Sequence, residues 1–168
     1  MRRVLVRMAS ELVERTAGHD VVVVGIQRRG AELATRLVPM LEQGLERPVE
    51  RGTLDITLYR DDLQAVGPRP VVHQTELPPT LDGRTVVIVD DVLFTGRTVR
   101  AALDEIADFG RPARVLLAVL VDRGGRELPI AADVTGLQVA TAPGDHVTVQ
   151  VQELDGEDRV ELVREAGR

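Results

Sequence analysis

Two adjacent carboxylates, Asp90 and Asp91, follow the apolar run Val86-Val-Ile-Val89, and Thr95, Gly96, Arg97 and Thr98 come a few residues later. The segment reads as a buried strand ending in two acids, then a short loop, then a helix. In open α/β sheets, ligands bind at the carboxyl ends of strands. The amide groups that open a helix carry partial positive charge and suit a phosphate. Thr95 and Thr98 add hydroxyl donors, Gly96 permits close backbone approach, and Arg97 offsets negative charge. The carboxylates would repel a phosphate, so they suit hydroxyl donors, and a vicinal diol fits them. Phosphate and vicinal diol together describe a ribose 5-phosphate. Two other uses of Asp-Asp after a strand are a capping pair and a receiver-type metal site. A receiver needs a later lysine, which this chain lacks.

A second segment, Gly25-Ile-Gln-Arg-Arg-Gly30, also follows an apolar run and precedes a helical pattern. It lacks the G-x-G-x-x-G spacing of a dinucleotide fingerprint. Its two arginines can meet a doubly charged anion. An ordinary strand-to-helix turn with solvated arginines would read the same way.

Composition narrows the classes. All 21 basic residues are arginine, a bias that a GC-rich genome explains, and it excludes Schiff-base and Walker-type lysine chemistry. The absence of cysteine removes disulfides, thiolate metal sites and a cysteine nucleophile. A net charge of −6 argues against broad non-specific nucleic-acid binding. No apolar stretch is long enough for a membrane helix, and the N-terminus does not read as a signal peptide, so a soluble cytoplasmic protein is expected. His19, His73 and His146 are scattered and read as surface residues.

The elements that would carry these residues alternate. Residues 1–16 and Ala31–Gln43 show helical spacing, the latter stopped by Gly44. Val21–Val24, Thr85–Val89 and Arg114–Val121 read as buried strands, Thr53–Tyr59 as a strand with one polar face, and Val99–Phe109 as a helix. Arg60–Gly83 reads as a long loop. The alternation of Val147, Val149 and Val151, then Asp155-Gly156 and Val160–Val163, reads as a C-terminal β-hairpin. The expected fold is α/β, a single domain over 1–168: a mostly parallel twisted sheet with helices on both faces, a small C-terminal hood and that hairpin.

Val86–Thr98 resembles the phosphoribosyl pyrophosphate motif of type I phosphoribosyltransferases. Together with Leu54–Leu63 and Leu120–Ile130, it closely resembles the PyrR family, over nearly the whole chain. PyrR proteins attenuate pyrimidine-gene transcription through messenger RNA, and many convert uracil to UMP. The resemblance implies that Asp90 and Asp91 hold the ribose hydroxyls. It assigns Val92, Leu93, Phe94, Thr95, Gly96, Arg97 and Thr98 to the phosphoribosyl group, and Gln27, Arg28 and Arg29 to pyrophosphate. Val121, Asp122 and Arg123 would read the base, largely with backbone groups, and Tyr59 and Arg60 would open a mobile loop over the site. Mg2+ would act through the substrate near Asp90 and Asp91, and the chain would work as a homo-oligomer. Purine members place an acid where this chain has Phe94, and purine and orotate enzymes use lysines, so uracil is the expected base.

Arg3, Arg7 and Arg126 are the candidates for a leader-RNA face. Gly125 stands where the family carries His, and Ala131, Gly136-Leu-Gln138 and Ala140-Thr-Ala142 replace its basic or polar hood residues. The phosphoribosyl motif is intact while the RNA face is eroded. Two alternatives to a uracil phosphoribosyltransferase stay open at this stage: a non-catalytic nucleotide-sensing regulator, and a phosphoribosyltransferase for another base.

Overall fold

The computed structural model describes residues 1–59 and 74–164. Arg60 and most of the expected long loop lie outside them. Five strands, β1 (Val21–Ile26), β2 (Glu50–Leu54), β3 (Thr85–Leu93), β4 (Arg114–Asp122) and β5 (Val134–Gln138), form one parallel sheet in the order β2-β1-β3-β4-β5. Alternate residues of each strand point to opposite faces. Val21, Val23, Val87, Val89, Leu116 and Ala118 pack under α1 (Arg2–Thr16) and α2 (Arg29–Leu45), against Leu5, Leu12, Leu33, Leu37 and Leu41. Val22, Val24, Val86, Ile88, Leu117 and Val119 pack under α3 (Arg97–Phe109), against Val99, Ala102 and Ile106. The central strands are covered on both faces, which is why they read as unbroken apolar runs. Each of these buried Leu side chains contributes about 1.5–3 kcal/mol.

Several boundaries differ from expectation, each for a local reason. The expected strand Thr53–Tyr59 is instead the end of β2 and a 3-10 turn over Ile56–Tyr59. Asp55 accepts the Thr57 N–H (3.0 Å) and the Thr57 hydroxyl, a turn that competes with strand pairing. Asp55 is also buried rather than on a polar face. β1 runs through Gly25 to Ile26, and α2 runs through Gly44 and ends at Glu46 in the left-handed region. A Cβ at Gly44 would stand 2.6 Å from Val13 Cγ2, so this glycine serves close α1–α2 packing rather than a stop. β3 carries on to Leu93 because its ladder with β4 continues to the pair Leu93↔Asp122. The acidic pair therefore lies inside the strand rather than after it.

β5 has no counterpart in the sequence reading. The C-terminal hairpin does form, from β6 (His146–Gln150) and β7 (Arg159–Val163), with α4 (Gln152–Asp155) inside the connection. Arg36 of α2 docks it through bonds of 2.9 Å to Glu153 and 2.7 Å to Asp158. No helix among the described residues is long and apolar enough to cross a membrane. Of the histidines, His19 and His146 are exposed and His73 is outside the described residues.

Candidate active site

Because the sheet is parallel, the connections leaving β1, β3, β4 and β5 all emerge on one rim. Three of them meet there. The β1 connection is held by the Gln27 N–H donating to Leu54 O (2.8 Å), and the Gln27–Arg28 peptide is cis. Gly30 then lies flat on the end of β3. A Cβ there would stand 2.5 Å from Val89 O and 3.4 Å from Asp90 Oδ1. Only a residue without a side chain lets the segment expected to hold pyrophosphate approach the acidic pair this closely.

The pair itself is asymmetric, since strand alternation sends neighbours to opposite faces. Asp90 is buried and Asp91 half-buried. Asp90 Oδ1 accepts the Asp91 N–H (2.9 Å), and Asp91 Oδ1 accepts the Val92 N–H (3.0 Å). Burial, and then the charge of Asp91, hold the Asp90 carboxyl well above the usual carboxylate range. A ligand that donates hydroxyls, or brings a cation, relieves that strain. Among the described residues no group of three acidic or histidine side chains could hold a metal. Two adjacent carboxylates still suit magnesium brought in by a phosphorylated ligand, since that ion commonly binds through one or two carboxylates and substrate phosphates.

The segment expected to hold phosphate, 94–96, is backed along its length by the hood, the connection 123–133 between β4 and β5. Thr95 O accepts N–H groups from Glu127 (3.0 Å) and Leu128 (3.1 Å), and Arg97 pairs with Glu127 at 2.8 Å. Gly96 takes φ 93° to turn the chain into α3, whose first turn carries no acidic residue. Thr95 Oγ1 accepts the Arg97 N–H (3.3 Å), and Thr98 is exposed. Val92 is half-buried and Leu93 buried, so these two support the loop from below.

The residues expected to read the base, largely with backbone groups, have their side chains committed elsewhere. Val121 is fully buried. Burial alone would raise the Asp122 carboxyl, but the Arg126 guanidinium at 2.5 Å and the Gly124 N–H (3.0 Å) carry it below the usual range. Arg123 is buried, donates to Asp145 O (2.5 Å) and stacks 4.0 Å from the Phe94 ring centroid. Phe94 in turn rests on Gly125, where a Cβ would stand 2.4 Å from its Cε2. Backbone groups of Asp122–Gly125 remain to line a cleft of about 640 Å³, closed on its other side by Gln138–Thr141.

Three arginines among the candidates are also occupied. Arg29 makes paired bonds to Asp155 (3.1 and 2.8 Å). Arg7 donates to Thr135 O and Gly136 O, and Arg126 to Phe94 O, Gly124 O and Ile130 O, while Arg3 is exposed. Tyr59 ends the 3-10 turn. Sequence reading missed Asp155 as a partner of the site, because Asp155-Gly156 signals only a turn. It also missed the tie of Thr75 to Glu105, whose residues are far apart in the chain.

Residues 2–154 match the family model of the phosphoribosyl transferase domain. The chain is 56% identical over 166 residues to the bifunctional protein PyrR of a Roseiflexus species, covering 98% of this chain and 91% of that one. It is 57% identical over 167 residues to that of Chloroflexus aurantiacus, with 98% and 91% covered, and 53% identical over 168 residues to that of Thermus aquaticus, with 99% and 93% covered. In fold it is similar to the hypoxanthine phosphoribosyltransferase of Trypanosoma cruzi (TM-score 0.71, 18% identity, 97% of this chain and 91% of that chain). A hypoxanthine phosphoribosyltransferase from Staphylococcus aureus is also similar (TM-score 0.67, 17% identity, 96% and 85% covered). With this motif geometry, this sheet order and these relatives, the chain belongs to the phosphoribosyl transferase domain family and, within it, to the PyrR proteins.

Proposed function

We propose that the protein transfers the phosphoribosyl group of phosphoribosyl pyrophosphate to uracil, giving UMP and pyrophosphate. The observation that carries this is the convergence on one rim of an acidic pair, a hood-backed phosphate loop and a glycine-flattened arginine loop laid against Asp90. In this reading Asp90 and Asp91 hold the ribose hydroxyls, Phe94–Thr98 the 5-phosphate, and Gln27–Arg29 the pyrophosphate. The hood backbone at Asp122–Gly124 takes the pyrimidine edge. Phe94, stacked on Arg123, offers no acid to a purine ring nitrogen. That supports uracil over purines.

The uracil nitrogen bonds to the ribose anomeric carbon as the bond to the pyrophosphate oxygen breaks, through a transition state of oxocarbenium character, and the proton of that nitrogen passes to the departing pyrophosphate or to water. The residues contribute by orientation and by stabilising charge on the leaving group, and no protein nucleophile is required. Asp90 and Asp91 would stand beside magnesium brought in with the substrate, and the ion would supply charge neutralisation for the leaving group.

Calorimetry on Asp90→Asn combined with Asp91→Asn tests the site, with loss of phosphoribosyl pyrophosphate and UMP affinity and retention of the fold expected. Unchanged affinity removes the ribose assignment. Turnover of uracil above hypoxanthine, guanine and orotate by kcat/KM tests the base, and a purine or orotate as best substrate refutes it. A second role, UMP-dependent binding of pyrimidine-leader RNA, is supported by the relatives, which are named bifunctional.

A further inference from the structure

The C-terminal hairpin packs Val149 and the following Val151 into the core that holds Val121, and its connection also reaches the segment assigned to pyrophosphate. α2 presents Arg29 in its first turn and Arg36 two turns later, and both grip carboxylates around α4. Arg36 holds two of them, Glu153 and Asp158. Arg29 holds one, Asp155, through paired hydrogen bonds of 3.1 and 2.8 Å. Asp155 is itself anchored, because its Oδ2 accepts the Val151 N–H (2.8 Å). Those bonds, Arg29 foremost, hold its carboxyl below the usual range, so it is ionised at neutral pH.

Arg29 immediately precedes Gly30, the residue in contact with Asp90, and its guanidinium also feels the charge of Asp91. It therefore stands between two anionic positions: the fixed carboxylate of Asp155, which it bonds, and the carboxylate of Asp91, whose charge it feels. The Arg29 side chain keeps 37% of its surface exposed. Asp155 keeps 17%, so the bidentate pair is only partly exposed, open on the arginine side, where a multiply charged ligand can compete for the guanidinium. Arg36 keeps the hairpin docked whichever partner Arg29 takes.

We propose that Asp155 is a positioning residue that holds Arg29 aside from the pyrophosphate position, so that the incoming diphosphate takes the arginine over and departing pyrophosphate hands it back. The proposal rests on the assignment of Gln27–Arg29 to pyrophosphate. It gives the hairpin a part in the reaction: Asp155 weakens binding of the pyrophosphate end and eases release of the product.

The test is steady-state kinetics, with inhibition by pyrophosphate, on Asp155→Asn. Asparagine keeps the shape and still accepts the Val151 bond. KM for phosphoribosyl pyrophosphate and the inhibition constant of pyrophosphate should both fall, by roughly two- to fivefold at low salt, the scale of one partly exposed charge pair. The difference should narrow as salt rises, and KM for uracil should stay where it is. Asp158→Asn, on the same hairpin but facing Arg36, should leave all three constants unchanged. In an Arg29→Gln background, Asp155→Asn should have no further effect. A merely structural role predicts the opposite sign, since a loosened hairpin would weaken binding. An Asp155→Asn enzyme with raised or unchanged constants overturns the proposal, as does the same change in Asp158→Asn. Wild-type protein with no measurable affinity for phosphoribosyl pyrophosphate would overturn the phosphoribosyl reading along with it.

Discussion

Gly30→Ala is the sharpest test of how the loop proposed to hold pyrophosphate meets the acidic pair. The new Cβ would stand 2.5 Å from Val89 O and 3.2 Å from Asp90 Cα, against about 3.4 Å for an ordinary contact. Both atoms belong to the backbone of β3, which is paired on both sides and cannot yield. The start of α2 must therefore retreat by about 0.9 Å, taking Gln27–Arg29 with it. Overpacking of this kind costs about 1–3 kcal/mol. The helix gains roughly 0.5–1 kcal/mol from alanine, so the net remains destabilising. At this chain length each kcal/mol lowers Tm by about 2–4 °C. Catalysis should suffer more than stability, because a misplacement near 1 Å can lower the rate by about a hundredfold. Thermal denaturation, run beside kcat/KM for phosphoribosyl pyrophosphate, measures both. A Gly30→Ala protein with wild-type Tm and wild-type kcat/KM would refute the claim that the loop must lie flat on Asp90.

Glu105, buried on α3, accepts the Thr75 hydroxyl on Oε1 (2.5 Å), and its Oε2 is buried with no hydrogen-bond partner among the described residues. Burial raises its pKa above the unfolded value, so the folded protein binds the extra proton. Its contribution to stability is therefore fully present below the ordinary glutamate range and is lost as pH rises above it. Relative to wild type, Glu105→Gln should gain Tm between pH 4 and pH 7, and a difference in Tm that does not change with pH contradicts the assignment. Gly125→Ala places a Cβ 2.4 Å from Phe94 Cε2 at φ +71°, so it should displace the ring and raise KM for uracil. The left-handed backbone adds a stability cost of about 1–2 kcal/mol. An unchanged uracil KM would mean that the ring does not shape the base cleft. Arg7 and Arg126 already donate to internal carbonyls, so RNA binding should be weak and shallow in salt. Each lost phosphate contact removes about 0.7–0.9 of slope. Filter binding to a pyrimidine-leader RNA across a salt series, with and without UMP, checks it, and tight, steeply salt-dependent binding would refute it.

The amino-acid sequence by itself determined the layered sheet and the gathering of acids, hydroxyls and glycine at the end of one central strand. Runs such as Val21–Val24 and Val86–Val89 can be satisfied only by burial on both faces. The order of acids, hydroxyls and glycine in Asp90–Thr98 is local chemistry carried on contiguous residues. What only tertiary structure decided are the partners of long side chains. Arg29 and Arg123 each had the charge expected of a ligand contact, yet one faces Asp155 and the other packs between Asp145 O and the Phe94 ring. An arginine stem reaches carboxylates on many elements, and spacing along the chain does not say which element packs beside it. β5 was illegible for a related reason. Its Val134–Gln138 run has one strongly apolar position on each side of Gly136, and it becomes a strand through its ladder with β4, from Ala118↔Val134 to Asp122↔Gln138. The end of β2 was misread because Asp55 turns the backbone with its own side chain, a competition between side-chain and ladder hydrogen bonds that alternation alone cannot reveal.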